Sequence, residues 1–120
     1  MKKVINQSHG KDWSVYHGDC VALATDVPDN SVDLSVYSPP FSSLYIYSDS
    51  EADMGNTEGD SEFLEQYRYL VREKLRATRP GRLSAVHVKD LVFYQNATED
   101  GSSGLRPFSD EVTRLHLEAG

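Results

Sequence analysis

Residues 31–37 alternate in polarity, and two prolines then forbid the pattern to continue. Val32, Leu34 and Val36 fall on one side of an extended chain, with Asp33, Ser35 and Tyr37 on the other, so the spacing predicts a strand. Ser38-Pro39-Pro40-Phe41 follows directly. Each proline fixes its own φ and biases the preceding residue toward extended geometry, which makes the segment rigid without hydrogen bonds from its own backbone. Neither proline has an N–H. The polar groups on offer are therefore mostly acceptors, namely the carbonyls and the Ser38 hydroxyl. Two readings are open: the prolines simply end a strand while Phe41 joins the core, or they frame a ligand.

The flanking sequence decides what kind of sheet this strand belongs to. Residues 13–17 are β-formers closed by Gly18-Asp19, and residues 21–25 read as a short helix stopped by Pro28 and the turn-forming Asp29-Asn30. Phe63, Leu64, Tyr67, Leu70, Val71 and Leu75 keep the three-and-four spacing of one buried helical stripe. Asp60 or Ser61 is placed to cap that helix, Arg76 and Arg79 suit its C-terminal dipole, and Pro80-Gly81 is expected to stop it. Residues 83–88 read as a third, central strand. Residues 109–120 read as a last helix with Gly120 at its C-cap. Two long loops, 42–60 and 89–108, complete the chain. Strand, helix, strand, helix, strand, helix is the order of a parallel α/β sheet with crossover helices.

At 120 residues the chain is one domain with a modest core. Cys20 is the single cysteine, so there is no disulfide framework, and His9, His17, His87 and His116 show no metal-ligand spacing; no metal site is expected. No apolar run approaches the roughly 20 residues of a membrane span, and the N-terminus turns polar too soon for a signal peptide, so no membrane association and a cytoplasmic location are expected. The net charge of −7 argues against a self-sufficient nucleic-acid binder, which usually carries a basic face. A role on DNA would have to rest on a local site, or on protein outside this chain.

In open α/β sheets ligands sit beyond the carboxyl ends of the strands, where Ser38 to Phe41 fall. An acceptor-rich corner beside an aromatic ring suits a planar group with an exocyclic NH2: two acceptors take its hydrogens while Phe41 stacks on its face. The amino nitrogen of cytosine or adenine is a poor nucleophile because its lone pair is delocalised into the ring. Hydrogen bonds that hold it toward tetrahedral geometry localise that pair. A base in duplex DNA reaches such a corner only by flipping out of the stack.

The stretch "VPDNSVDLSVYSPPF" resembles the catalytic motif region of DNA amino-methyltransferases, which methylate cytosine N4 or adenine N6 with S-adenosylmethionine. "YHGDCVALATDVPDNSVDL" is similar to the family's strand, Gly-Asp turn and short helix before that motif, and "RATRPGRLSAVHVKD" to its later turn and strand. "GLRPFSDEVTRLHLEAG" is similar to a segment of phage and prophage members. The resemblance implies a partial Rossmann-like methyltransferase sheet and a site-specific enzyme, of the kind found in restriction-modification systems. Ser38, with the carbonyl of Pro39 in the rigid Pro39-Pro40 pair, would hold the target amine, and Phe41 would stack on the base. Asp19 would border the cofactor pocket; an ordinary Gly-Asp turn is the plainer account. Tyr45, Tyr47 and Lys89 are candidate DNA contacts. Serine at the first motif position favours cytosine N4 over adenine N6.

The resemblance also implies something this chain lacks. The family cradles the methionine part of the cofactor with a Phe-x-Gly-x-Gly turn, and Gly101 and Gly104 do not match it. The expectation is therefore a catalytic half with the cofactor-binding half missing, supplied by a C-terminal portion or by a second chain. The chain alone would be inactive and bind the cofactor weakly. An inactive remnant, or a non-catalytic partner module, is the alternative. Half a sheet would leave an unpaired strand edge, and self-association is expected of such a chain folded alone.

Overall fold

A computed structural model describes residues 3–40, 60–93 and 104–120. Its elements are β1 (Val4–His9), β2 (Ser14–Gly18), α1 (Cys20–Ala24), β3 (Val32–Tyr37), α2 (Asp60–Ala77), β4 (Thr78–Val86), β5 (Leu91–Phe93), β6 (Gly104–Arg106) and α3 (Phe108–Ala119). Phe41, Tyr45 and Tyr47 lie outside the described residues, as does most of the 42–60 loop.

The βαβ unit expected from the sequence is present. β3 and β4 pair in parallel, with Leu34 opposite Leu83 and Val36 opposite Ala85, and α2 lies between them in sequence. A parallel pair requires such a crossover. The fold is mixed α/β and includes this two-stranded parallel sheet.

The first expected strand, however, does not join that sheet. β2 pairs antiparallel with β1, Gln7 opposite Tyr16 and His9 opposite Ser14, and the Gly10 amide donates to the Trp13 carbonyl across the turn at 2.9 Å. β1 carries no alternation in Val-Ile-Asn-Gln-Ser-His, so only its partner makes it a strand. Gly18 is required where the two strands meet: a Cβ there would lie 2.1 Å from the Lys3 carbonyl oxygen.

α2 ends at Ala77, short of Pro80-Gly81. Its last carbonyls, otherwise unsatisfied, are taken by the turn before β3. The Asn30 amide donates to the Arg76 carbonyl at 3.1 Å and the Ser31 amide to that of Ala77 at 2.8 Å. Asn30 adopts φ 51° to make this possible. Pro80 and Gly81 instead sit inside β4, where the register slips between the Val32–Thr78 and Leu34–Leu83 pairs and Gly81 takes φ +77°. Arg76 bonds to the Ala24 carbonyl, Glu73 and Asp29, and Arg79 to Asp33. Both serve the junction of α1, α2 and β3. Expected as a central strand, β4 pairs with β3 alone among the described residues.

The core lies between α2 and α3, not around a broad sheet. Phe63, Tyr67 and Val71 of α2 pack with Phe108, Val112 and Leu115 of α3 and with Leu91. Leu75, expected in the stripe, is 47% exposed. Part of the region read as one loop, 89–108, is structured: β5 pairs antiparallel with β6, Leu91 opposite Arg106. Asp90 accepts from the Ser109 amide and hydroxyl at 3.0 and 2.7 Å and so caps α3 from outside the helix. Those bonds, the hydroxyl's foremost, hold the Asp90 carboxyl below its usual range. The Gly120 amide closes the other end on the His116 carbonyl at 3.3 Å.

Candidate functional site

A cleft of about 890 Å³ opens where the carboxyl ends of β2 and β3 meet α2. β2 and its turn bring Gly18 and Asp19 to it; β3 and its extension bring Tyr37, Ser38, Pro39 and Pro40; α2 brings Tyr67 and Lys74. The sequence candidates Ser38, Pro39, Pro40 and Asp19 thus share one wall system, although Asp19 and Ser38 come from different sheets. A cleft of this volume falls within the roughly 300–1,000 Å³ of small-molecule sites.

Ser38 is fixed by the strand next to it. Its hydroxyl donates to the His87 carbonyl at 2.9 Å, and the His87 amide donates to the Tyr37 carbonyl at 2.9 Å. A hydroxyl has one donor and two acceptor positions. With the donor committed to His87, the acceptor side of Ser38 Oγ is left for other partners, with His87 Nδ1 at 3.4 Å as a long contact. Pro39 is buried and Pro40 half-buried, which pins the corner that Ser38 tops. His87 is an exposed strand-end residue.

Asp19 has a local task as well. It is the N-cap of α1, its carboxylate accepting from the Val21 amide at 3.0 Å. Lys89 is exposed and does not line the cleft. Phe41, Tyr45 and Tyr47 cannot be placed against the cleft, being outside the described residues.

Behind the corner lies a polar cluster not anticipated from the sequence. Tyr37 Oη and Tyr67 Oη are 2.7 Å apart. Lys74 Nζ donates to Tyr37 Oη at 2.7 Å and meets His116 Nε2 at 2.6 Å, while His116 Nδ1 donates to the Val112 carbonyl at 2.8 Å. That last bond sets the His116 tautomer, leaving Nε2 as acceptor. The Lys74 ammonium also stands 4.6 Å from the Tyr37 ring centroid. Burial pushes the Lys74 amine down to about 8. Burial also lowers His116, with the Lys74 charge adding to the effect, and raises both tyrosines. The cluster ties β3, α2 and α3 together immediately behind Ser38. In sequence Lys74 is 37 residues from Tyr37 and 42 from His116, so no local pattern announces those two bonds.

Among the described residues there is no group of three His, Cys, Asp or Glu side chains able to hold a metal. No helix among them is long and apolar enough to cross a membrane.

Against this geometry the chain can be set beside known proteins. No family model matches it. Over 67 residues, 56% of its length, it is 36% identical to the Type II methyltransferase M.BamHI of Bacillus amyloliquefaciens, of which it spans 15%. In structure it superposes on a protein of Thermus thermophilus assigned as a DNA modification methylase. With the crystal structure complexed with S-adenosyl-L-methionine the TM-score is 0.68 at 24% identity, covering 86% of this chain and 37% of that one. With the selenomethionine derivative the TM-score is 0.65 at 22% identity, covering 86% and 36%. The likeness is one of fold. This chain has the α/β architecture of a little over a third of that methylase.

Proposed function

We propose that this chain carries the target-base corner of an S-adenosylmethionine-dependent DNA amino-methyltransferase, acting on cytosine N4 in preference to adenine N6. The observation that carries the reading is Ser38-Pro39-Pro40 at the carboxyl end of β3, on the same cleft as Gly18 and Asp19, in a chain whose fold matches part of a methylase. Similarity to M.BamHI over 67 residues supports the same reading.

In this reading Ser38 Oγ and the Pro39 carbonyl accept the two hydrogens of the flipped base's amine. Ser38 is prepared for that because its own O–H donates a hydrogen bond to the His87 carbonyl, which leaves the oxygen to accept. Bonds to both hydrogens draw the amine out of conjugation and turn its lone pair toward the methyl donor. Phe41, next in sequence, is assigned to stack on the ring. The cleft fits a nucleoside-bearing cofactor in volume, and Asp19 with Gly18 would border it. S-adenosylmethionine, when bound, supplies an electrophilic methyl group on a sulfonium centre. Serine in the first position offers one neutral acceptor, and the preference for cytosine N4 follows the family correlation.

The test is methylation of duplex DNA by the longest polypeptide that includes this chain, with products digested to nucleosides and identified by mass. Ser38→Ala and Phe41→Ala should each lower the rate, the former on the order of 10²-fold if it removes one oriented hydrogen bond at the reacting centre. Unchanged methylation in both variants overturns the assignment, and N6-methyladenine as the product overturns the base preference. By calorimetry, the 120-residue chain alone should bind the cofactor weakly or not at all.

A further inference from the structure

Lys74 is half-buried and, among the described residues, takes part in no ion pair. Its polar partners are both neutral: Tyr37 Oη at 2.7 Å and His116 Nε2 at 2.6 Å. The imidazole cannot compensate the ammonium charge, since its Nδ1 hydrogen is already given to the Val112 carbonyl. Charges withdrawn from water are ordinarily paired. This one is not.

The hydrogen bonds of the cluster can be counted. An ammonium has three hydrogens to give and each phenol one. Lys74 spends two, on Tyr37 and His116. The Tyr37–Tyr67 contact spends one of the two phenol hydrogens, whichever way it runs. One ammonium hydrogen and one phenol hydrogen are left without an acceptor among the described residues. Tyr37, Tyr67 and Lys74 all line the cleft beneath Ser38, whose wall is otherwise largely apolar, with Ile5, Val27, Val32 and Leu70 in it. The carboxylates that also line it have other tasks. Asp19 caps α1, and Glu73 pairs with Arg76 at 2.8 Å.

We propose that the Tyr37–Tyr67–Lys74 wall is the anion-binding end of this cleft, and that the cleft takes a small carboxylic acid with an apolar body. A carboxylate only accepts, through two oxygens. It would take the spare ammonium hydrogen and the spare phenol hydrogen, and the apolar body would lie along Ile5, Val27, Val32 and Leu70. A carboxylate suits the wall better than a phosphate monoester. It brings one negative charge to one unpaired cation, whereas a second charge would stand in a cleft that already holds Asp19 and Glu73. The inference rests on the cleft wall and holds whether or not the chain transfers methyl groups.

The probe is 3-phenylpropionate, titrated into the 120-residue chain while nitrogen NMR follows the Lys74 amine. The signal can be assigned through the Tyr37 ring, whose centroid lies 4.6 Å from Nζ. His116 is held below 6.5 and both tyrosines above 10.0, so between those values Lys74 is the member of the cluster that titrates. Free, the amine should titrate at about 8; with the acid bound it should titrate about one unit higher or more, the effect of an opposite charge in contact. The neutral 3-phenylpropionamide has the same shape and should bind roughly tenfold more weakly, for want of the charge-assisted bonds, without moving the amine. Phenyl phosphate should also bind more weakly than the acid. Lys74→Met should erase the preference for acid over amide, and Tyr67→Phe, which keeps the ring, should narrow it. Where Lys74→Met fails to fold by circular dichroism, the titration of the unaltered chain still decides. No binding of the acid, an amine unmoved at saturation, equal affinity for acid and amide, or tighter binding of phenyl phosphate would each overturn the proposal.

Discussion

The two faces of β3 meet different surroundings. Tyr37 turns toward α2, where Tyr67 is fully buried and Lys74 and His116 complete a bonded cluster. Leu34 and Val36, one pleat away, face outward and keep more than half of their surface exposed. The α2–α3 block is a finished core that uses the sheet's polar face. The apolar face has the composition of a core and, among the described residues, no cover. The difference locates the chain's own stability in the helices and leaves the apolar face of β3 outside it, with the Ser38 corner at the boundary between the two.

The sharpest way to break this comparison is to hollow the finished side. Phe63 is fully buried, stacked on Tyr67 with ring centroids 5.8 Å apart and set 5.7 Å from Phe108. Phe63→Ala should cost about 3–5 kcal/mol in urea unfolding followed by circular dichroism, the range for large buried aromatics. A loss below about 1 kcal/mol, the usual size for an unexceptional substitution, would mean that the α2–α3 block is not where stability resides.

A smaller effect is expected from the hydroxyl that joins the core to the corner. Tyr67→Phe keeps the ring and removes the 2.7 Å contact with Tyr37 Oη. Loss of one such bond is expected to cost about 0.5–1.5 kcal/mol. If the cluster holds β3 in place, amide exchange should quicken at Tyr37 and Ser38 as well as in α2. Faster exchange confined to α2 would show that the cluster serves the core only.

Much of this contrast was legible in the sequence, and what escaped has a physical reason. The stripe Phe63, Tyr67, Val71 and the alternation of residues 32–37 are local periodicities, and local periodicity survives folding. So did the Ser38-Pro39-Pro40 corner, because proline geometry is set by the residue itself. β1 escaped because a polar strand is made by its partner. The end of α2 was placed too late because the Asn30-Ser31 turn, far off in sequence, takes its last carbonyls. Lys74 escaped because its partners, Tyr37 and His116, come from other elements far off in sequence. The face of β3 that packs inward is the one bearing Tyr37, since a single helix can cover only one side of a sheet.

The cluster also sets a pH dependence that belongs to the finished side. His116 is held below its ordinary 6.5 and Lys74 below its ordinary 10.5, at about 8. Both groups favour the neutral form when folded, so the unfolded chain binds more protons. For His116 this costs stability as pH falls below 6.5. For Lys74 the cost is full below about 8 and is relieved as pH rises from there toward 10.5. Tyr37 and Tyr67, raised from 10.0, reverse the trend once unfolded tyrosines ionise. Urea midpoints should therefore climb from pH 8 toward 10 and turn down beyond it. In Lys74→Met the climb should flatten; a climb of the same slope would remove Lys74 as its source.

The smallest effect is the one the open face predicts for itself. Val36 and Leu83 are 73% and 72% exposed, so replacing both with serine removes little apolar surface that folding had withdrawn from water. At about 25 cal/mol per Å² of buried apolar area, the folded state has little there to lose. Surface changes of this kind are usually within about 0.5 kcal/mol. Val36→Ser with Leu83→Ser should thus leave urea unfolding of the isolated chain unchanged. A large loss of stability would mean the face is already buried, by a second copy of the chain, and sedimentation of the same samples would show it. That outcome would erase the contrast between the two faces of β3, because the side that looks unfinished would be a closed interface.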